Sequence, residues 1–212
     1  MSRQVTMILM PIFIAVAAYL YWQHHQRTFA DQGRLLVSEN GNAIVLSWSS
    51  EIDVPMVRRF REAFREWSSK TGKFIIDLDS PGGALSEGSK IIELMNSMKR
   101  THFIETHVGN RAICLSMCVP IFLAGENRVA AGSSRWMFHE PSAEDFFTGE
   151  KVSVPEFERD YYNDRFFERY FTNSEMNPAW RENLRIEWAG KDVWRTGQQL
   201  VDEQSNIILE LY

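Results

Sequence analysis

Three short runs of aliphatic and β-branched residues, Ala43–Trp48, Lys73–Leu78 and Phe103–Val108, alternate along the chain with longer stretches in which apolar residues recur every three or four positions. The short runs predict buried strands. Between the first two, Val57, Phe60, Phe64 and Trp67 mark one face of a helix with charged residues between them; Asp53 is the expected cap and Pro55 the second position. Between the second and third, Ile91, Ile92, Met95 and Met98 line another helix, which opens at the turn Asp79-Ser80-Pro81-Gly82-Gly83. An apolar run from Cys114 to Gly125 reads as a third helix, and Arg128–Ala131 and Trp136–His139 as short strands. Strand–helix alternation with short connections predicts an α/β domain whose sheet is mainly parallel and covered by helices.

The pattern changes beyond Ser142. Pro155–Thr172 carries Phe157, Tyr161, Tyr162, Phe166, Phe167, Tyr170 and Phe171, so its helix is apolar on more than one side and is expected to meet a neighbouring subunit. Pro178 opens a last amphipathic helix through Trp180, Leu184 and Trp188 that ends at Gly190. No internal repeat or low-complexity tract is visible.

At the other end, Val5–Trp22 is apolar apart from Thr6, with Tyr19, Tyr21 and Trp22 gathered where aromatic rings favour a bilayer interface. About eighteen residues is the lower limit for a membrane span. The run is either an uncleaved anchor, the reading favoured here, or a long signal peptide. Arg3 before it argues for a cytoplasmic N-terminus and an extracytoplasmic, periplasmic domain attached by one pass to the inner membrane. The expected division is therefore 1–30 anchor or signal segment, 31–41 linker with at most a short strand at Arg34–Val37, and 42–212 the folded domain. Adjacent His24 and His25 do not face one site and imply no metal.

The 212 residues carry 23 Lys and Arg against 28 Asp and Glu, a net charge of −5, with no basic face to suggest nucleic-acid binding. The densest basic run, Arg58, Arg59, Arg61 and Arg65, is interleaved with Glu62 and Glu66 and reads as a solvated helix face. The two cysteines, Cys114 and Cys118, flank Ser116. Four apart on a helix they suit a disulfide poorly, and they are expected to be small core residues.

The chemistry centres on Ser116 and His139, a nucleophile and a base that become reactive only with an orienter for the base and donors for an oxyanion. Ser116 near a helix start offers free backbone N–H groups. Gly82-Gly83 let the backbone approach a bound carbonyl closely. Asp192, in a late loop, is available to hold the imidazole tautomer. Individually, each residue is as well explained by packing or capping.

Taken together, Ser80-Pro81-Gly82-Gly83, then Ser116-Met117 with Ala124-Gly125 downstream, then Ser134-Arg135-Trp136-Met137-Phe138-His139 resemble the three motifs of the Clp protease proteolytic subunit, in the same order and at similar spacing over roughly residues 42–208. The resemblance extends to the membrane-bound signal peptide peptidases of the A type and to the wider Clp/crotonase superfamily. It implies the Clp/crotonase-like fold and a homo-oligomer, with the 155–172 segment as its contact surface. It also implies a serine peptidase in which Ser116 is the nucleophile, His139 the general base, Gly83 and Met117 the oxyanion donors and Asp192 the triad acid, with Asp202 as the alternative acid. It calls for no metal or organic cofactor. Leu115 and Cys118 stand where the family has small residues, and the upstream Gly-Gln-Ala-Ala pattern is missing. An extracytoplasmic domain has no ATPase ring to dock on, so the expected activity is ATP-independent cleavage of peptides or unfolded proteins. A serine–lysine dyad through Lys151 or Lys191, an inactive binding module and an acyl-CoA enzyme on the same fold are the alternatives.

Overall fold

The computed structural model describes residues 35–141, 155–172 and 174–212. The apolar run 5–22 and Lys151 lie outside these residues; within them no helix is long and apolar enough to cross a membrane.

A six-stranded sheet, in the order β1-β2-β3-β4-β6-β9, is built from β1 (Leu35–Asn40), β2 (Ala43–Trp48), β3 (Lys73–Leu78), β4 (Phe103–Val108), β6 (Asn127–Ala130) and β9 (Glu210–Leu211). Every neighbouring pair is parallel except β1–β2. A second sheet, β5-β7-β8, holds β5 (Ile113–Leu115), β7 (Arg135–Phe138) and β8 (Val193–Thr196). The helices are α1 (Met56–Trp67), α2 (Leu85–Met98), α3 (Cys118–Leu123), α4 (Glu156–Phe167), continued by a π-helical turn over Glu168–Thr172, α5 (Pro178–Glu187) and α6 (Gly197–Asp202).

Strands β2, β3 and β4 occupy the residues that the short runs predict. Along one flank, Trp48, Phe60, Phe64 and Phe74 form a chain of rings, tilted between Trp48 and Phe60 and edge-on thereafter, with centroids 4.8 Å apart for Phe64 and Phe74.

Several expectations are corrected. The stretch 31–41, read as a linker with at most a short strand at Arg34–Val37, contains β1, a strand that runs on to Asn40 and pairs with β2 over its whole length; its exposed residues hide its extent from a search for buried runs. Asp53 does not cap α1. Its carboxylate accepts the N–H of Val54, and the N–H of Val57 is taken instead by the Glu87 carboxylate reaching over from α2. The apolar run 114–125 is not one helix: β5 ends at Leu115, Ser116 turns the chain at φ +53°, and α3 starts at Cys118.

That turn also overturns the reading of the cysteines as separate core residues. Cys114 and Cys118 form a disulfide, their Cα atoms 5.1 Å apart. They are four apart across a strand–turn–helix reversal rather than along a helix, and the left-handed residue between them folds the chain back within bonding range.

Of the 155–172 segment, Phe167, Tyr170 and Phe171 are buried in the chain's own core, with ring contacts from Phe171 to Phe138 and Trp188. Only Phe157, Tyr161 and Tyr162 are left outside.

Candidate active site

The cleft lies where the chain leaves the C-terminal ends of β2, β3, β5 and β7, the position at which parallel sheets offer their ligand sites. Its volume is about 570 Å³, and Gly82, Gly83, Ser116, Met117 and His139 all line it.

The turn after β3 forms one wall. Ser80 is fully buried and bridges Cys114 of β5, so that Ser80 N–H donates to Ile113 and Leu115 N–H donates back to Ser80. The Ser80 hydroxyl accepts the N–H of Gly82 at 3.2 Å and closes the turn. Gly83 bridges Ile52: Ile52 N–H donates to Gly82, and Ala84 N–H donates to Ile52. In that parallel arrangement the N–H of Gly83 points away from Ile52, toward the cleft. A side chain at Gly83 would place its Cβ 2.5 Å from the Ile52 carbonyl oxygen, and its φ of +144° independently asks for glycine.

The opposite wall carries Ser116. Ser116 N–H donates to Met137 of β7, and Ser116 C=O accepts from Val119 in the first turn of α3. Among the described residues neither Gly83 N–H nor Met117 N–H has an acceptor, so two donors remain for a ligand.

His139 follows β7, in which Trp136 and Phe138 point into the core and Met137 outward. Alternation puts His139 on the Met137 side, and both line the cleft. Phe138 is held by edge-on contacts with Phe171 and Trp180. Upstream, the Ser134 hydroxyl donates to Ala131 and accepts from Trp136 Nε1, which fixes the start of the strand. His139 Nε2 lies 2.6 Å from Ser116 Oγ, a hydrogen bond between side chains 23 residues apart.

The structure therefore brings Ser116, His139, Gly83 and Met117 to one cleft. Asp192 sits just before β8, whose antiparallel register with β7 ends at the pair Phe138 and Val193, the residues next to His139 and Asp192. Asp192 is exposed and makes no hydrogen bond to His139 among the described residues. Asp202 lies at the end of α6, where its carboxylate accepts from Gln198. Lys191 is exposed in the loop before Asp192.

Leu115 and Cys118, the departures from the family pattern, do not line the cleft: both are buried in the core. Gly125 of the Ala-Gly motif has a packing role, since a Cβ there would strike Thr106 Oγ1 and the Asn127 carbonyl of the neighbouring strands. Sequence reasoning missed Met137, Leu85, Pro141 and Phe166 as apolar lining, and Glu51 and Asp53 as acidic lining. Only Met137 carried a signal, two residues before His139 on a strand.

The family model described as Clp protease matches residues 61–165. A ClpP1 mutant from Listeria monocytogenes superimposes with a TM-score of 0.60 at 17% identity, over 79% of this chain and 90% of that one. The fold is that of the Clp proteases. The catalytic domain of the ClpP protease from Plasmodium falciparum gives a TM-score of 0.57 at 18% identity, over 81% of this chain and 84% of its own. A mutant of the membrane-bound stomatin-specific protease 1510-N gives 0.62 at 15% identity, over 82% of this chain and 81% of its own. No curated protein sequence matches. The resemblance read from three short motifs thus holds at the level of the Clp-type fold.

Proposed function

We propose that the chain is an ATP-independent serine peptidase that hydrolyses peptides or unfolded proteins outside the cytoplasm while anchored in the membrane by residues 5–22. The observation that carries this reading is the 2.6 Å hydrogen bond between Ser116 Oγ and His139 Nε2, set beside the backbone N–H groups of Gly83 and Met117, which have no acceptor among the described residues.

For Ser116 to be the donor, His139 carries its proton on Nδ1 and leaves Nε2 as acceptor. Nε2 takes the hydroxyl proton as Oγ attacks the peptide carbonyl carbon. The N–H groups of Gly83 and Met117 receive the negative charge that develops on the carbonyl oxygen. The imidazolium then gives its proton to the leaving amine as the C–N bond breaks. A water molecule, deprotonated by His139, attacks the acyl-serine, and the carboxylic acid leaves as Ser116 regains its proton. Asp192, next to Val193 of the last β7–β8 pair as His139 is next to Phe138, is the group assigned to steady the imidazolium.

Two observations support the location and assembly. The Cys114–Cys118 disulfide is a bond of oxidising compartments, which agrees with a domain beyond the membrane. Phe157 is 72% exposed, and Tyr161 and Tyr162 are 55% exposed on the outer side of α4; this is apolar surface suited to contact with a second copy of the chain.

A fluorophosphonate probe tests the chemistry. It is expected to label the folded wild-type protein on Ser116 and to leave Ser116→Ala unlabelled. Absence of labelling on folded wild-type protein overturns the peptidase reading.

A further inference from the structure

The nucleophile stands at the centre of a ring closed by the only disulfide among the described residues. Cys114 is the middle residue of β5; it pairs with Trp136 on the strand that leads into His139 and bridges Ser80 on the turn that carries Gly83. Cys118 is the first residue of α3 and lies in the hydrophobic core. Both are fully buried. One end of the ring is therefore tied to both walls of the cleft, the other to the core, and Ser116 lies midway between them.

Ser116 needs such a restraint. A serine at φ +53° occupies the left-handed region that side chains with a Cβ disfavour. Its side chain accepts nothing from the local backbone that would hold it there; its described partner is His139. A chain relaxing toward extended geometry would carry the Cα atoms of residues 114 and 118 to roughly 13 Å apart. The disulfide holds them at 5.1 Å. A ring this short removes little entropy from the unfolded chain compared with a long one, so its effect falls on local conformation more than on global stability.

We propose that Cys114 and Cys118 are positioning residues for the reaction: their disulfide locks the Ser116 turn so that Oγ meets Nε2 and the Met117 N–H faces the cleft. The proposal rests on the peptidase reading. It makes activity conditional on oxidation of this pair, and because both sulfurs are buried the bond is set during folding rather than cycled in the folded enzyme. Its loss is a balanced two-electron exchange: a dithiol reductant passes two electrons and two protons to the bridging sulfurs, leaving two cysteine thiols and the reductant's own disulfide.

The test uses the full chain in detergent. Wild-type protein is unfolded in urea and refolded either with oxidised glutathione or with dithiothreitol, and the double variant C114A/C118A is taken through the same two treatments. Free-thiol titration reports the state of the pair, circular dichroism reports folding, and fluorophosphonate labelling with peptide hydrolysis reports kcat and KM. The oxidised wild type is expected to be active. The reduced wild type and the double variant are expected to fold, with kcat and labelling rate lower on the order of 100-fold and KM little changed. Reoxidation should restore the wild type, and dithiothreitol should not affect the variant. A merely structural disulfide would lower the melting temperature and leave kcat of the folded protein alone, and that result overturns the proposal. So does an active wild type whose two thiols titrate as free. If the variant does not fold, the reduced and reoxidised wild type decides. If reduced wild type also fails to fold, the disulfide is structural and the proposal fails. No labelling of oxidised, folded wild type removes the peptidase reading itself, whereas equal labelling of every form removes only the role assigned to the disulfide.

Discussion

A Cβ added to Gly82 would lie 2.7 Å from the Cβ of Ser116 and 2.7 Å from the carbonyl oxygen of Leu115. The Pro-Gly-Gly turn and the serine turn thus touch without room for one more carbon, and the φ of +94° at Gly82 disfavours a side chain as well. Gly82→Ala must shift one turn against the other. Its expected effect is a fall in labelling rate and kcat on the order of 100-fold, together with a stability loss of about 1–3 kcal/mol. Wild-type labelling by a folded Gly82→Ala protein would show that the glycine turn does not set the position of Ser116.

Asp192 and Asp202 separate by the same assay. Asp192 adjoins the last β7–β8 pair, Phe138 and Val193, beside which His139 also lies, whereas Asp202 is engaged by Gln198 at the end of α6. Asp192→Asn is expected to reduce kcat by as much as ~10⁴-fold, by analogy with loss of a triad acid, with KM nearly unchanged. Asp202→Asn should behave as wild type. The opposite pattern would move the orienting role to Asp202.

How much of this was legible in the sequence depended on how far apart the deciding partners lie. Strands β2, β3 and β4 show in their own residues, since each is a short run in which most side chains are buried. β5 does not. Three residues, Ile113–Leu115, are a strand only because they pair with β7 and bridge Ser80, and a short apolar run followed by a helix looks helical throughout. The disulfide followed that error, because the distance between Cys114 and Cys118 depends on the Ser116 turn rather than on a helix. The motif glycines and His139 were found by resemblance, and the geometry supplies their reasons: contact with Ile52 and Ser116 for the glycines, strand alternation for the histidine. The cleft's apolar lining was hidden because Leu85, Pro141 and Phe166 come from separate parts of the chain.

Glu87 supports the site from behind without touching it. Its side chain is 7% exposed, and its carboxylate accepts the N–H of Val57 at 2.9 Å, which ties the first turn of α1 to the helix that begins just after Gly83. Lys90 lies 3.8 Å away but is largely exposed, so the pair adds little. Glu87→Ala leaves a buried donor without an acceptor and is expected to cost about 1–3 kcal/mol in urea denaturation. In the folded protein at 25 °C, kcat should stay at the wild-type value. A lowered kcat in folded protein would mean that the cap also shapes the oxyanion turn.

Glu105 makes the stability of the sheet depend on pH. Burial alone would raise its pKa, but hydrogen bonds from Asn127, Lys73 and His107, together with the Lys73 charge, outweigh burial and hold it below the ordinary carboxylate value. The contacts are 2.9 Å to Asn127, 3.1 Å to Lys73 and 2.8 Å to His107, joining β4 to β3 and β6. A carboxyl with a depressed folded-state pKa binds its proton more weakly when folded than when unfolded. Its stabilising contribution is therefore complete above the unfolded value, about 4.3, and is lost as pH falls from there through the lower folded value. Glu105→Gln removes the ionisable group and keeps a similar shape. Urea denaturation of wild type and variant across this range should show the wild type more stable at pH 6, with the difference shrinking steadily as the solution is acidified below pH 4.3. A difference independent of pH would assign the effect of Glu105 to packing rather than to charge.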